Sequence, residues 1–127
     1  MLFSVIAVIT GASIGALLRW ALGLLLDPLA KSIGAGILTS NLVGAYFIGL
    51  CFFYLAQQAP DNQFLKLFLI TGLLGSLTTF SSFSLEILLL LQIQKYFSAL
   101  FVMFFHTLGS VLMAYLGFLT ANFITLK

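Results

Sequence analysis

The sequence predicts an all-α membrane protein built from four transmembrane helices. Hydrophobic residues make up 62% of the 127-residue chain, and charged residues make up only 6%. A soluble domain carries about 25% charged residues, so this chain could not cover itself with polar surface in water. A spanning helix needs roughly 20 mostly apolar residues, and four runs qualify within a single integral membrane domain (1–127). These runs are residues 2–26, 33–56, 64–91 and 96–124.

Short polar turns separate the four predicted spans. They fall at Asp27-Pro28, at residues 57–63 and at residues 92–95, and each is too short to hold a catalytic domain. The net charge is only +2 and the chain has no basic patch, which excludes nucleic-acid binding through phosphate neutralisation. Cys51 is the single cysteine, so it forms no intrachain disulfide, and its apolar neighbours predict a small buried side chain.

Basic residues are balanced between the two sides of the predicted bundle. Lys66 and Lys127 fall on one side and Lys31 and Lys95 on the other, where Arg19 is added if it counts with the first turn. Since a Lys and Arg excess sets orientation, the chain has almost no orientation signal. One interpretation is that so few basic residues carry no information about orientation. The other is that copies of the chain insert in both orientations and pair antiparallel, which gives inverted symmetry. One four-helix chain is also too small to enclose a pore, and this favours a homodimer.

Polar residues in the first two spans each allow a structural and a functional interpretation. Gly11, Gly15 and Arg19 share one helix face, and the glycines allow close helix approach. Arg19 either extends to the interface or provides a fixed positive charge for an anion or a partner group. Asn41, which shares a face with Gly44, either bonds a neighbouring helix or donates its NH₂ to a passing anion.

The third span contains a glycine- and hydroxyl-rich stretch that predicts a broken helix. Gly72 and Gly75 are followed by six Ser and Thr residues before Glu86. Irregular backbone is tolerated at membrane depth only where it is buried or lines a cavity. At 1.5 Å per residue, residues 64–91 would extend about 42 Å, against a hydrocarbon core of about 30 Å. We therefore expect a break near Gly75–Thr78 and take this stretch as the functional centre.

Two stripes of side chains follow the predicted break. Phe80 and Phe83 lie on one stripe, and Thr79, Ser82 and Glu86 lie on the other. The aromatic stripe either packs against a neighbouring helix or presents ring edges, which carry partial positive charge, to a small anion. Glu86 is unexpected beside an anion path. It is protonated, paired with Lys or Arg, or hydrogen-bonded to Ser82.

The fourth span places His106 and Ser110 on one face. A lone His is usually a structural hydrogen-bonding residue, and no Cys, carboxylate or second His stands at ligand spacing, so no transition-metal site is predicted. Ser110 could donate to the same solute as Asn41. The broken third span also frees backbone carbonyls, and two such breaks meeting at a dimer axis would form a seat for a small hard cation such as Na⁺.

Together these features resemble the Fluc/CrcB family of fluoride channels over essentially the whole chain. The specific part is the third-span run from Gly75 to Glu86, and the glycine spacings alone would be weak. The resemblance implies an antiparallel, dual-topology homodimer in the cell inner membrane with two pores and passive fluoride export that relieves fluoride toxicity. It rests on these positions: Gly15, Arg19, Asn41, Gly44, Gly75 to Glu86, and Ser110.

The resemblance also implies a role for each site residue. Phe80 and Phe83 line the pores with ring edges, and Asn41 and Ser110 contact fluoride or its water. The carbonyls of Gly75 and Thr78 from both subunits would hold a structural Na⁺ that is not transported. Arg19 would provide a charge in the vestibule. A polar track would consist of Ser81, Ser82, Ser84 and Glu86. The chain departs from the family at Ala114, where some relatives carry a hydroxyl, and His106 is at a variable position without an assigned role.

Three other functions fit the sequence less well. A small proton-coupled multidrug-type exporter also has four short spans, but it needs a carboxylate in the first span, where this chain has Arg19. A non-transporting scaffold explains the glycines but not the hydroxyl-aromatic run. An enzyme would need a nucleophile–base pair or a metal set, and neither is visible in the sequence.

Overall fold

The computed structural model describes residues 1–29 and 34–125. Within these ranges the predicted all-helical fold is confirmed, with four helices long and apolar enough to cross a membrane. Ile33, where the second span was expected to begin, lies outside the described residues. So do Lys31 and Lys127, two of the residues used to judge orientation. The four spans run over Leu2–Leu29, Ala35–Gln58, Gln63–Gln92 and Tyr96–Thr125.

The first two spans are regular and the last two are subdivided. Helix α1 covers Leu2–Leu26 and is followed by a 3₁₀ turn, and α2 covers Ala35–Gln58. The third span consists of α3 (Gln63–Lys66), a π-helix (Leu67–Leu74), α4 (Gly75–Leu77) and α5 (Phe80–Gln92). The fourth span consists of α6 (Tyr96–Phe104), a π-helix (Phe105–Gly109) and α7 (Ser110–Thr125).

The third span is interrupted near the predicted position. The chain is helical through Leu77, is extended at Thr78 (φ −82°, ψ 154°) and Thr79 (φ −150°, ψ 124°), and becomes helical again at Phe80. The break therefore falls at Thr78 and Thr79, while Gly75 keeps helical geometry. Side chains stabilise both ends of the break, because Thr78 Oγ1 donates to the Leu74 carbonyl (2.9 Å) and Thr79 Oγ1 accepts from the Ser82 N–H (3.2 Å).

Glycines bring the spans into contact in two pairs, the first span with the third and the second span with the fourth. Gly11 and Gly15 of the first span lie directly against the backbone of the third span, around Gly72 and Leu77. In the second pair, Gly49 of α2 lies against the Ala114 carbonyl, and Gly117 of α7 lies against the Tyr46 carbonyl. A Cβ at any of these four glycines would overlap backbone atoms of the facing span, so no larger residue fits there. Small residues of this kind are typical where membrane helices pack closely. The small-residue positions in the sequence are thus the helix crossings.

The exterior of the single chain is apolar. Large side chains such as Trp20 and Phe97 are exposed. In each span no more than 28% of the most hydropathic window is buried inside the described chain. A compact cluster nevertheless joins the third and fourth spans, and it consists of Phe83, Leu90, Ala99 and Val102. Lipid or another protein surface must therefore cover most of the molecule.

Candidate functional site at the helix break

Asn41 of α2 pairs with the extended backbone at the break in the third span. Its Oδ1 accepts from the Thr79 N–H at 2.8 Å, and its Nδ2 donates to the Thr79 carbonyl at 3.1 Å. The carboxamide thus satisfies both main-chain groups of a residue that no helix includes. An unpaired backbone group costs several kcal/mol in an apolar medium, so this pair makes the break tolerable inside the membrane.

His106 is the third member of this network. Its Nδ1 lies 2.9 Å from Asn41 Nδ2, and its ring is stacked on Phe83 with centroids 4.7 Å apart and an interplanar angle of 26°. The side chain is only 5% exposed. Nε2 is buried and has no hydrogen-bond partner among the described residues. The π-helix that contains His106 supplies its position, and such wide turns are frequent at functional sites.

The two predicted pore phenylalanines meet edge to face beside this network. Phe80 and Phe83 have ring centroids 5.4 Å apart and an interplanar angle of 61°. Phe83 is 6% exposed, whereas Phe80 is 77% exposed. Phe83 is therefore enclosed by protein atoms, whereas most of the Phe80 ring is left uncovered by the single chain.

A cavity of about 230 Å³ opens at the break. It brings together three of the four predicted pore residues, Asn41, Phe80 and Phe83, and also Thr78, whose carbonyl was predicted to bind Na⁺. Ser110 is not among its lining residues. Sequence reasoning missed Thr107 as a wall residue and gave no role to His106. The wall consists of Asn41, Thr78, Thr79, Phe80, Phe83, His106 and Thr107. It therefore combines hydroxyl, amide, imidazole and phenyl groups and contains no side chain with a full charge when His106 is neutral.

The hydroxyl residues after the break form a local network around Thr79. The Thr79 hydroxyl donates to Ser82 Oγ at 3.2 Å and lies 3.1 Å from Ser81 Oγ. Ser84 instead donates to the Phe80 carbonyl at 2.9 Å, and Ser110 is half-buried on the fourth span. The structure thus groups Ser81 and Ser82 with the break, while Ser84 bonds within its own helix.

Glu86 contacts the beginning of α2. Its Oε1 accepts from the Gly34 N–H at 2.6 Å, while Oε2 is buried without a hydrogen-bond partner in the described part of the chain. Asp27 caps the same end, because its Oδ1 accepts from the Gly36 N–H at 2.8 Å. Carboxylates are favoured at this end of a helix. Gly34 is a partner for Glu86 that the sequence alternatives did not include.

The break also removes the usual helical donors of several carbonyls, among them those of Gly75 and Thr78. The Thr79 N–H donates to Asn41, and the carbonyl of Gly75 loses the donor it would have in a continuous helix. Likewise, the Ser82 N–H donates to Thr79 Oγ1, so the Thr78 carbonyl loses its helical donor. Carbonyl oxygens of an unwound helix are suitable ligands for a small hard cation, and these two residues therefore fit the predicted Na⁺ seat.

Arg19 lies one helical turn after Gly15, which contacts the third span immediately before the break. The Arg19 side chain is half-buried, and it makes no hydrogen bond or ion pair within residues 1–29 and 34–125. A charged group at this depth is costly unless it reaches water or a counter-ion. The position is compatible with a vestibule charge and equally with extension to the interface.

Comparisons with known proteins agree on one family. A family model described as CrcB-like protein, Camphor Resistance (CrcB), matches residues 6–118. The chain is 44% identical to the fluoride-specific ion channel FluC of Marinobacter nauticus over 98% of each chain. It is 45% identical to the protein of that name from Pseudomonas aeruginosa and 42% identical to one from Acinetobacter baumannii, over 94% of each chain.

Proposed function

The chain belongs to the CrcB family of multi-pass membrane proteins, and from this membership we propose that it is a passive, fluoride-selective ion channel of the cell inner membrane. The observation that carries the proposal is the cavity at the helix break, whose wall offers neutral donors and phenyl rings. The relatives' printed names specify fluoride. A proton-coupled exporter is not favoured, because its first span would need a carboxylate and this chain has Arg19 there.

The proposed chemistry follows from the hydration of fluoride. Fluoride is small and strongly hydrated, so a path must replace its water, yet conduction requires that no site hold the ion tightly. Phenyl edges, hydroxyls and amides meet both demands because they carry only partial positive charge. In this proposal the path is lined by Asn41, Phe80, Phe83 and Ser110, with a polar track of Ser81, Ser82, Ser84 and Glu86 and a vestibule charge at Arg19.

The proposed direction is export from the cytoplasm. Hydrogen fluoride is a weak acid that crosses membranes as a neutral molecule and releases F⁻ inside the cell. An open path then lets F⁻ leave, because the inside-negative potential drives an anion outward by about 2.3 kcal/mol per 100 mV. Such a channel relieves fluoride toxicity without an energy source of its own.

Fluoride efflux from liposomes tests the proposal. Purified protein is reconstituted into vesicles loaded with potassium fluoride, external F⁻ is followed with an ion-selective electrode, and efflux is started with a potassium ionophore. We expect rapid F⁻ release, while matched vesicles loaded with chloride release none. Folded protein that releases no F⁻, or that releases both anions alike, would contradict the proposed function.

The proposal includes an antiparallel, dual-topology homodimer with two pores. Phe80 supports it, because a pore-lining ring that is 77% exposed on one chain needs a second surface to complete its environment. The balanced charges also support it, since the chain has almost no orientation signal.

We predict that both orientations are present in cells. In a Cys51→Ala background, single cysteines at Asp61 and at Gln94 should each be labelled partly from outside and partly from inside by a membrane-impermeant maleimide. The two loops lie on opposite sides of the bundle, so each serves as the control for the other. If one loop is labelled only from outside and the other only from inside, the antiparallel arrangement is wrong.

The proposal also includes a structural Na⁺ at the dimer centre, held by the Gly75 and Thr78 carbonyls. A ligand that binds only the folded assembly at 100 times its Kd stabilises it by about 2.7 kcal/mol. We predict that replacing Na⁺ with N-methyl-D-glucamine at constant ionic strength lowers the dimer's thermal stability in detergent and reduces fluoride flux. Restoring Na⁺ should reverse both effects. Equal stability and flux in the two salts would count against the carbonyl seat.

A further inference from the structure

The orientation of the Asn41 carboxamide is determined by the main chain of Thr79. The Thr79 N–H can only donate, and it lies 2.8 Å from Oδ1; the Thr79 carbonyl can only accept, and it lies 3.1 Å from Nδ2. Exchanging the amide oxygen and nitrogen would place like groups against each other at both contacts. The Asn41 NH₂ group must therefore face the Thr79 carbonyl and His106.

This orientation determines the tautomer of His106. Asn41 Nδ2 also lies 2.9 Å from His106 Nδ1. An amide NH₂ has no acceptor capacity, so Nδ1 must be the acceptor, and the proton of the neutral imidazole is on Nε2. Both hydrogens of the Asn41 NH₂ are then used within the protein, one on Thr79 and one on His106.

The consequence is a buried donor without a partner on a residue that lines the cavity. His106 lines the cavity, is 5% exposed, and has a buried Nε2 that bonds to none of the residues the structure describes. A buried N–H without an acceptor is costly, and that cost is removed when an acceptor enters. Stacking on Phe83 at 4.7 Å holds the plane of the ring.

We infer that Asn41 is a positioning residue which, by pairing with Thr79, holds His106 as the Nε2–H tautomer, and that this N–H donates to a small, partly dehydrated anion in the cavity. The inference rests on the proposed function and changes one part of it. Asn41 contributes to the path by orienting His106, and the hydrogen bond to the anion comes from the imidazole. A neutral N–H suits this task because it carries no full charge that would trap the ion.

Ring ¹⁵N spectroscopy tests this directly, because His106 is the single histidine of the chain. Protein labelled with ¹⁵N-histidine is placed in lipid bilayers at mildly alkaline pH, and the imidazole resonances are recorded with fluoride, with chloride and with neither. We expect an unprotonated Nδ1 and a protonated Nε2 whose resonance shifts with fluoride and not with chloride. A protonated Nδ1, or an Nε2 that does not respond to fluoride, would overturn the inference.

Two variants separate the positioning role from the donor role. Asn41→Asp presents carboxylate oxygens to His106, so Nδ1 should become protonated and the fluoride-dependent Nε2 shift should be lost. His106→Phe keeps a ring against Phe83 and leaves the Asn41–Thr79 pair available, and we expect it to reduce fluoride flux about tenfold or more, the typical consequence of losing one oriented donor. Wild-type flux in His106→Phe would refute the donor role even if Asn41→Asp failed to fold.

The same samples distinguish this inference from the proposed function. If wild-type vesicles release fluoride but Nδ1 is protonated, the channel proposal stands and the tautomer assignment is wrong. If wild-type vesicles release no fluoride, the channel proposal itself fails, whatever the imidazole spectrum shows.

Discussion

Fluoride flux through Phe83→Ile is expected to fall at least about tenfold, the rate equivalent of ~1.4 kcal/mol, while the protein stays folded. Phe83 is 6% exposed, stacked on His106 at 4.7 Å and edge to face with Phe80 at 5.4 Å. Isoleucine keeps an apolar side chain but removes the positive ring edge that attracts an anion. Liposome efflux gives the flux, and size-exclusion chromatography in Na⁺-containing detergent confirms that the variant is intact.

The chain offers a matched control for this substitution. Phe53 also forms an edge-to-face pair, with Phe118 at 5.1 Å and 88°, but it joins the second and fourth spans and does not line the cavity. Phe53→Ile removes an aromatic pair of the same kind at another place, so it should leave flux near wild type. Equal flux from Phe83→Ile and Phe53→Ile would remove the ring-edge mechanism.

The folded protein should be strongly depleted in Gly117→Ala. A Cβ at this position would contact the Tyr46 carbonyl oxygen and lie 3.0 Å from the Leu50 nitrogen. Both atoms belong to the backbone of α2, so the clash cannot be relieved by rotating a side chain, and the two helices must separate. Overpacking costs about 1–3 kcal/mol and sometimes more. Thermal stability in detergent and the yield of folded protein measure the effect.

Gly23→Ala is the control for Gly117→Ala. The added methyl group is the same, but at Gly23 its nearest neighbour is Asp27 Oδ2 at 3.4 Å, an ordinary van der Waals distance. We expect this variant to be produced and to unfold as wild type does. If Gly117→Ala were as stable as Gly23→Ala, the close crossing of α2 and α7 would not exist in the membrane.

The sequence was sufficient for the fold class and for the existence of the break. Long apolar runs determine the number of spans because a helix is the only way for a single segment to satisfy its backbone in lipid. The interruption was predicted because the third run is too long for one straight crossing and rich in hydroxyl residues. The break occurs at Thr78 and Thr79 because Asn41 supplies an alternative partner for the Thr79 backbone.

The contacts that complete the site could not be read from the sequence. Asn41 pairs with Thr79 38 positions away and with His106 65 positions away, and Glu86 reaches Gly34 across 52 positions. Each depends on the helical phase and depth at which two spans pack, and the glycine crossings that set this packing are visible only once the partner helix is known. One contact did have a local sequence signal. A Thr immediately before a helix commonly caps it by accepting from the N–H three residues later, as Thr79 does from Ser82.

The most direct test of the account is the reversal potential of the current through a planar bilayer that contains the purified protein. Fluoride is set at unequal concentrations on the two sides, with chloride and Na⁺ equal, and the potential is measured first at equal pH and then across a pH gradient. A passive fluoride channel predicts reversal at the fluoride equilibrium potential in both cases. A reversal potential that follows the pH gradient would contradict it and indicate transport coupled to protons.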